Sequence, residues 1–427
     1  MTWRATILDE VAEFTNGGAW DQSEYTAEGL RVARVTDFVN ESIDLSDCKY
    51  LAHESFDKYK KNELHEGDLV VATVGSHPSQ PASAVGRPVR VPRFASGCLL
   101  NQNAVCIRPK GIDKLNQRFL FFFAKTDHFK QYILANARGA ANQARMSIER
   151  LRQMPLSLPP LTTQRKIAGI LSAYDDLIEN NTRRIAILEA MAQAIYREWF
   201  VEFRFPGHEK VKLVDSPMGK IPEGWKPTRL GDLAGEVRRG VNPSEVDPET
   251  PYFGLEHLPR KSITLCDWGY ARDVQSTKLK FHKGEILFGK IRPYFHKVVV
   301  APVDGVCSSD AIVISPKTEG LFGPVLFCVS SEDFVSHATQ TSQGTKMPRA
   351  NWEVLVKYAL PTPPQGQLLN EFNASIRDIV DTLRLLMLKN RNLRKTRDLL
   401  LPKLISGQLD VEDLDIETGE EPMETNS

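Results

Sequence analysis

The residues of this chain best suited to chemistry are arginines, amides and aromatics gathered in a few loops. In Arg138-Gly139-Ala140-Ala141-Asn142-Gln143-Ala144-Arg145, an asparagine and a glutamine stand between two arginines on a run of small residues. Asn and Gln bond adenine in bidentate fashion, Arg bonds guanine or phosphate, and Gly and Ala let a backbone approach closely. The chemistry this pattern supports is the reading of base edges, with Arg138, Asn142, Gln143 and Arg145 as its candidates. Ser342-Gln343-Gly344-Thr345-Lys346-Met347-Pro348-Arg349 has a related make-up and offers Gln343, Thr345, Lys346 and Arg349. Between them, Gly289-Lys290-Ile291-Arg292-Pro293-Tyr294-Phe295-His296-Lys297 interleaves cations with aromatics. Lys290, Arg292, Tyr294, His296 and Lys297 there suit a nucleic-acid groove, although aromatics buried on a strand have the same composition. Arg87, Arg90 and Arg93 complete the candidate DNA contacts.

Covalent catalysis finds no comparable footing. The chain contains no G-x-x-x-x-G-K-[ST], H-E-x-x-H, G-x-S-x-G or G-x-G-x-x-G string, so neither a phosphate loop, a zinc protease helix, a nucleophile elbow nor a dinucleotide fingerprint is expected. Asp37 with Asp47-Cys48-Lys49 has the carboxylate-and-lysine make-up of a metal-dependent nuclease, but the second half has no equivalent at Leu265-Cys266-Asp267. The histidines do not cluster at ligand spacing, and Cys48, Cys98, Cys106, Cys266, Cys307 and Cys328 form no C-x-x-C pair. No metal, cofactor or disulfide framework is therefore expected in this chain. The amino-terminal segment has no apolar block of signal-peptide length, and the greasiest run, residues 119–124, is far too short to span a bilayer. The expectation is a cytoplasmic protein with no membrane partner.

What positions those loops is a duplication. At 427 residues the chain exceeds a prior of roughly 100 to 200 residues per domain, and landmarks recur in order at a period near 200 residues. Trp3-Arg4-Ala5-Thr6-Ile7-Leu8-Asp9-Glu10-Val11 is echoed by Trp225-Lys226-Pro227-Thr228-Arg229-Leu230-Gly231-Asp232-Leu233. Gly67-Asp68-Leu69-Val70 matches Gly284-Glu285-Ile286-Leu287, and the run from Asn103 to Lys110 matches that from Asp310 to Lys317. Arg145-Met146 before Leu158-Pro159-Pro160 aligns with Lys346-Met347 before Thr362-Pro363-Pro364. Short apolar runs bounded by Gly and Pro predict strands at 69–74, 104–107, 286–288, 298–300 and 311–314, with helices inside 119–134 and 322–337.

Each Pro-Pro pair ends a globular part, and a long helix follows. In the second helix Leu369, Phe372, Ile376, Ile379, Leu383, Leu386, Asn390 and Leu393 alternate spacings of three and four, a coiled-coil heptad. The first shows Ile167, Ile170, Tyr174 and Leu177, then a shift of phase near Asn181 to Ile178, Ile185, Leu188, Ala192, Ile195 and Trp199. At 1.5 Å per residue, about 38 residues make a rod of about 57 Å. The two stripes are expected to pack on each other antiparallel, with Asn181 and Asn390 either as register pins or as solvated positions. The fold class expected is α+β: two similar mixed α/β domains separated by two long antiparallel coiled-coil helices, an internal pseudo-two-fold repeat. The domain limits expected are 1–160, 161–204 (first helical region), 205–364, 365–409 (second helical region) and an acidic, disordered tail at 410–427.

Charge supports the assignment once it is divided. Overall, 54 basic residues balance 54 acidic ones, which taken alone argues against a nucleic-acid binder. Residues 410–427, however, hold eight acids and no base, leaving 54 basic against 46 acidic in 1–409. Residues 69–160 hold 13 basic against 3 acidic, a candidate phosphate-facing segment.

The helical regions resemble a known family. Leu158-Pro159-Pro160-Leu161-Thr162-Thr163-Gln164-Arg165-Lys166-Ile167-Ala168, Asp175-Asp176-Leu177-Ile178-Glu179-Asn180-Asn181 and Trp199-Phe200-Val201-Glu202-Phe203 resemble the central helical region of the specificity subunits of type I restriction-modification enzymes. Leu393-Arg394-Lys395-Thr396-Arg397-Asp398-Leu399-Leu400-Leu401-Pro402-Lys403-Leu404-Ile405-Ser406-Gly407 resembles their distal one. Gln365-Gly366-Gln367 departs from the family's usual acid-Gln start of that helix. The resemblance implies two target recognition domains that each read one half of a split sequence in double-stranded DNA, and helices that dock two modification (methyltransferase) subunits. It also implies S-adenosylmethionine, ATP and Mg²⁺ chemistry in the partner modification and restriction subunits. A reading from another class, a self-contained nuclease with a duplicated fold, stands beside it.

Overall fold

The computed structural model describes residues 3–39, 41–76, 84–140 and 143–416. They form two compact units, Met1–Asp176 with Arg394–Ser427, and Leu177–Leu393. Each unit takes in one end of each long helix, because the side chains at that end are buried with the domain beside it.

In the first unit Arg4–Ile7 pairs antiparallel with Pro155–Leu158, closing the domain end to end. The central sheet runs Pro88–Arg90, Leu69–Ala72, Ala104–Pro109, Ala12–Asn16, all antiparallel. Leu69–Ala72 is buried at every residue, as a continuous apolar run with layers on both faces must be. Helices Gln117–Ala124 and Asp127–Asn136 supply one layer, their first turns capped by the side chains of Asn116 and Thr126. Thr73 breaks the expected 69–74 strand: its N–H bonds Asn103 O and its carbonyl accepts from Met146 N. Beyond it, Val74–Gly75 joins a different sheet, with Gln143–Arg145 and Arg138–Ala140.

The second unit repeats this plan. Lys226–Arg229 pairs with Ala359–Thr362, and the central sheet runs Val298–Val300, Ile286–Gly289, Ala311–Pro316, Ala234–Glu236, the order of the first unit. The turn before the buried strand is also repeated. Gly67 and Gly284 both adopt positive φ and donate to Val91 O and Ala301 O. The acids that follow them, Asp68 and Glu285, each take a two-pronged arginine, Arg108 and Arg239 respectively.

The long helices span Leu161–Tyr196, continued by a π-helical turn at Arg197–Val201, and Gln367–Ile405. They run antiparallel in each unit: Asp175 pairs with Arg397 in the first, and in the second Asn181 bonds Asn390 while Phe200 packs tilted against Phe372. In the second helix Leu369, Phe372, Ile376, Leu383, Leu386 and Asn390 are buried, and Ile379 and Leu393 half-buried, as the heptad requires. The phase shift expected in the first helix is corrected. Leu177 is 54% exposed, whereas Leu171 and Ile178 are buried. With Ile167, Tyr174, Asn181, Ile185, Leu188, Ala192, Ile195 and Trp199 they form one uninterrupted three-four stripe; Ile170 flanks it, half-buried. Of the alternatives for the asparagines, solvated positions are excluded: both are buried, and Asn390 Nδ2 also donates to Ile178 O and Thr182 Oγ1.

Candidate nucleic-acid interface

In the first domain, Arg138–Ala140 and Gln143–Arg145 pair with Arg138 opposite Arg145 and Gly139 opposite Ala144. Side chains alternate across a strand, so Ala144, fully buried, faces the core, while Arg138, Gln143 and Arg145 share the exposed outer face. Gly139 is required here. Its φ is +129°, and a Cβ would lie 2.3 Å from Gln143 O. Two arginines directly opposite each other repel, an arrangement that an anion or a base acceptor lying across them relieves. Asn142 lies outside the described residues.

The three arginines at 87–93 are dispersed. Arg87, beside the bend at Thr73, donates from Nη1 to Phe38 O. Arg90 sits at the other end of the same edge strand, opposite Leu69. Burial, and then the charge of Arg118, push its guanidinium below the usual arginine range, and its Nε has no hydrogen-bond partner. Asp175 and Asp176 of the long helix oppose that effect, so Arg90 belongs to the junction between domain and helix. Arg93 is exposed beside Phe94.

The second domain builds the same hairpin from different words. Gln343 and Arg349 exchange backbone hydrogen bonds, and Arg349 bridges to Ile291 as Arg145 pairs with Val74. Ala350 N donates to Lys290 O as Met146 N donates to Thr73 O. The structural counterpart of Arg145 is therefore Arg349, and the alignment of Arg145-Met146 with Lys346-Met347 is off by three residues. Gln343, Thr345, Lys346 and Arg349 are all exposed, and Arg349 lies 3.6 Å from Asp310.

The cationic aromatic segment divides. Arg292 and His296 hold left-handed φ of 49° and 52°, unusual and costly for non-glycine residues. Between them, the turn Pro293–Phe295 leaves Tyr294 51% exposed. His296 is corrected: it is 7% exposed, with Nε2 bonded to Ser330 O at 2.8 Å and Nδ1 turned toward Glu332, so it holds the turn from inside and presents nothing to a ligand. Lys297 is half-buried with its ammonium on Leu255 O, and burial lowers its pKa. Lys290 Nζ bonds Ser309 O at 2.6 Å. Asp37, proposed for nuclease chemistry, is buried under a bidentate contact from Arg34 and its backbone N–H, a carboxylate with a structural task.

Several anchoring residues escaped notice in the sequence. Glu189 of the first long helix is buried and accepts from Ser262 Oγ and Ile263 N. Arg391 of the second stacks at 3.5 Å on Trp268 and donates to Tyr270 OH. Arg397 occupies the heptad position after Leu393, and a polar residue on an apolar stripe was the available signal. Among the described residues no helix is long and apolar enough to cross a membrane.

Residues 2–190 match the family model of the type I restriction modification DNA specificity domain. The chain is 26% identical over 323 residues to the MjaIX type I restriction enzyme specificity subunit of Methanocaldococcus jannaschii, across 74% of this chain and 73% of that protein. It is 22% identical over 415 residues to the HindI specificity subunit of Haemophilus influenzae, across 82% and 88%. The crystal structure of a type I S subunit from M. genitalium shares the fold, with a TM-score of 0.60 at 16% identity over 94% of this chain and 96% of that one. The stretch that matches the DNA specificity domain is followed by a second unit that repeats its fold. Along most of its length the chain is similar to the specificity subunits of type I restriction-modification systems.

Proposed function

We propose that this chain is the non-catalytic, sequence-reading subunit of its complex. Each domain reads one half of a bipartite target from the major groove, and the helix pair fixes the spacing between the halves. The observation that carries this reading is the repeated hairpin: different sequences place Arg138, Gln143 and Arg145 in one domain and Gln343 and Arg349 in the other at the same place on the same fold, all exposed. A shared scaffold with different exposed side chains is what two different half-sites call for. Exposed apolar residues on the long helices, among them Leu177, Ile187, Met191, Leu385 and Leu399, support docking of two modification subunits there. Those partners would bring S-adenosylmethionine-dependent adenine methylation, and restriction subunits would bring ATP- and Mg²⁺-dependent translocation and cleavage. The purified chain incubated with duplex DNA and Mg²⁺ is expected to bind without cutting or methylating. Robust cleavage or methylation without added subunits would overturn the reading in favour of a self-contained enzyme.

A further inference from the structure

Beside the hairpin of the second domain lies a concavity whose apolar lining comes from Leu255, Ile291, Phe295 and Met347. Its polar lining comes from Glu256, Arg292 and Lys297. We propose that this concavity receives the C5-methyl edge of a thymine in the half-site read by the second domain, making Leu255 and Met347 specificity-determining residues. The inference rests on the reading that this face binds duplex DNA.

Four features point to that occupant. The rim is cationic: Arg292 and Lys297 line the concavity, and Arg260 stacks 4.1 Å above Phe295. That charge suits a nucleic acid rather than an apolar peptide. Glu256 is exposed and would repel a phosphate, whereas beside base edges a carboxylate accepts from an exocyclic amine. The concavity therefore faces the groove. In the major groove thymine alone among the standard bases presents a methyl group, next to the O4 acceptor. Arg292 can serve that acceptor from the outer end of its guanidinium, whose Nη2 makes only a long 3.5 Å contact to Lys346 O. A flipped base is a poorer fit. Such a base is sandwiched between flat side chains and read along its pairing edge, but Arg260 already covers one face of Phe295 and the other apolar walls are aliphatic.

The test uses the full chain and duplexes carrying its selected target, with each thymine replaced singly by deoxyuridine, which removes only the methyl. Burying one such group corresponds to about a four-fold change in affinity. One thymine position in the second domain's half-site is expected to show about that loss. In Leu255→Ala and Met347→Ala the same replacement should cost less than it costs the parent chain. A half-site without thymine, no methyl-sensitive position, or undiminished sensitivity in both variants would overturn the inference and leave the DNA reading standing. Failure to bind any duplex would remove the DNA reading and this inference with it.

Discussion

Replacing Asn390 with leucine tests the helix pair at its one amide-to-amide contact among the described residues. In the parent chain Asn181 Nδ2 donates to Asn390 Oδ1 at 2.9 Å, and Asn390 Nδ2 reaches Thr182 Oγ1 and Ile178 O at 3.2 and 3.3 Å. Both asparagines are buried, 7% and 3% exposed. Asn390→Leu strands the Asn181 amide against an apolar neighbour, and a buried polar group left unsatisfied costs roughly 1–3 kcal/mol. Taking about 2 kcal/mol, the backbone amides of both helices near this contact should exchange hydrogen about 30-fold faster. Asn181→Leu should act in the same direction but cost less, since Asn390 Nδ2 keeps Ile178 O and Thr182 Oγ1 and only its Oδ1 is stranded. The double replacement removes both polar groups together and should recover most of the loss, giving a double-mutant cycle with a coupling of about 1–2 kcal/mol. Hydrogen exchange read peptide by peptide is the assay, because it reports the helices locally and needs no two-state unfolding of a two-unit chain. Additive losses, or single variants that exchange like the parent, would refute the claim that the pair fixes register.

Two further outcomes follow from the interface. Arg145→Ala and Arg349→Ala, at equivalent places in the two domains, should each relax base preference in a different half-site, by about 1–3 kcal/mol per lost bidentate contact; a change in the same half-site, or in neither, measured by binding to randomised duplexes, would remove the hairpins from the site. His296→Ala should lower the melting temperature of the second unit while leaving base preference unchanged, since the ring holds Ser330 O from within; altered preference at undiminished stability would contradict its placement.

Much of the scaffold was legible because it depends on periodicity and punctuation. The run at 69–72 is apolar throughout and is buried throughout, and the second helix repeats every seven residues with buried side chains where the pattern puts them. The first helix misled because apolar residues come there as neighbours. Ile170 with Leu171, and Leu177 with Ile178, offer two phases of equal hydropathy, and only the partner helix selects one of them. His296 misled for a different reason. Composition cannot reveal that two left-handed residues turn its ring inward while Tyr294 turns out. The concavity was invisible in the sequence, since Leu255 and Met347 are distant in the chain and meet only through folding. Arg349 replaced Lys346 as the partner of Arg145 once backbone pairing, rather than residue likeness, set the alignment.

The most direct test of the central claim is selection of bound duplexes from a random pool, by the full chain with the modification subunits proposed for it, before and after a few residues are inserted into both long helices. The bipartite account predicts two short fixed blocks separated by a spacer of constant length and free sequence. It also predicts that the insertion changes the spacer and leaves both blocks intact. A single contiguous block, or two blocks whose spacing ignores the insertion, would contradict it.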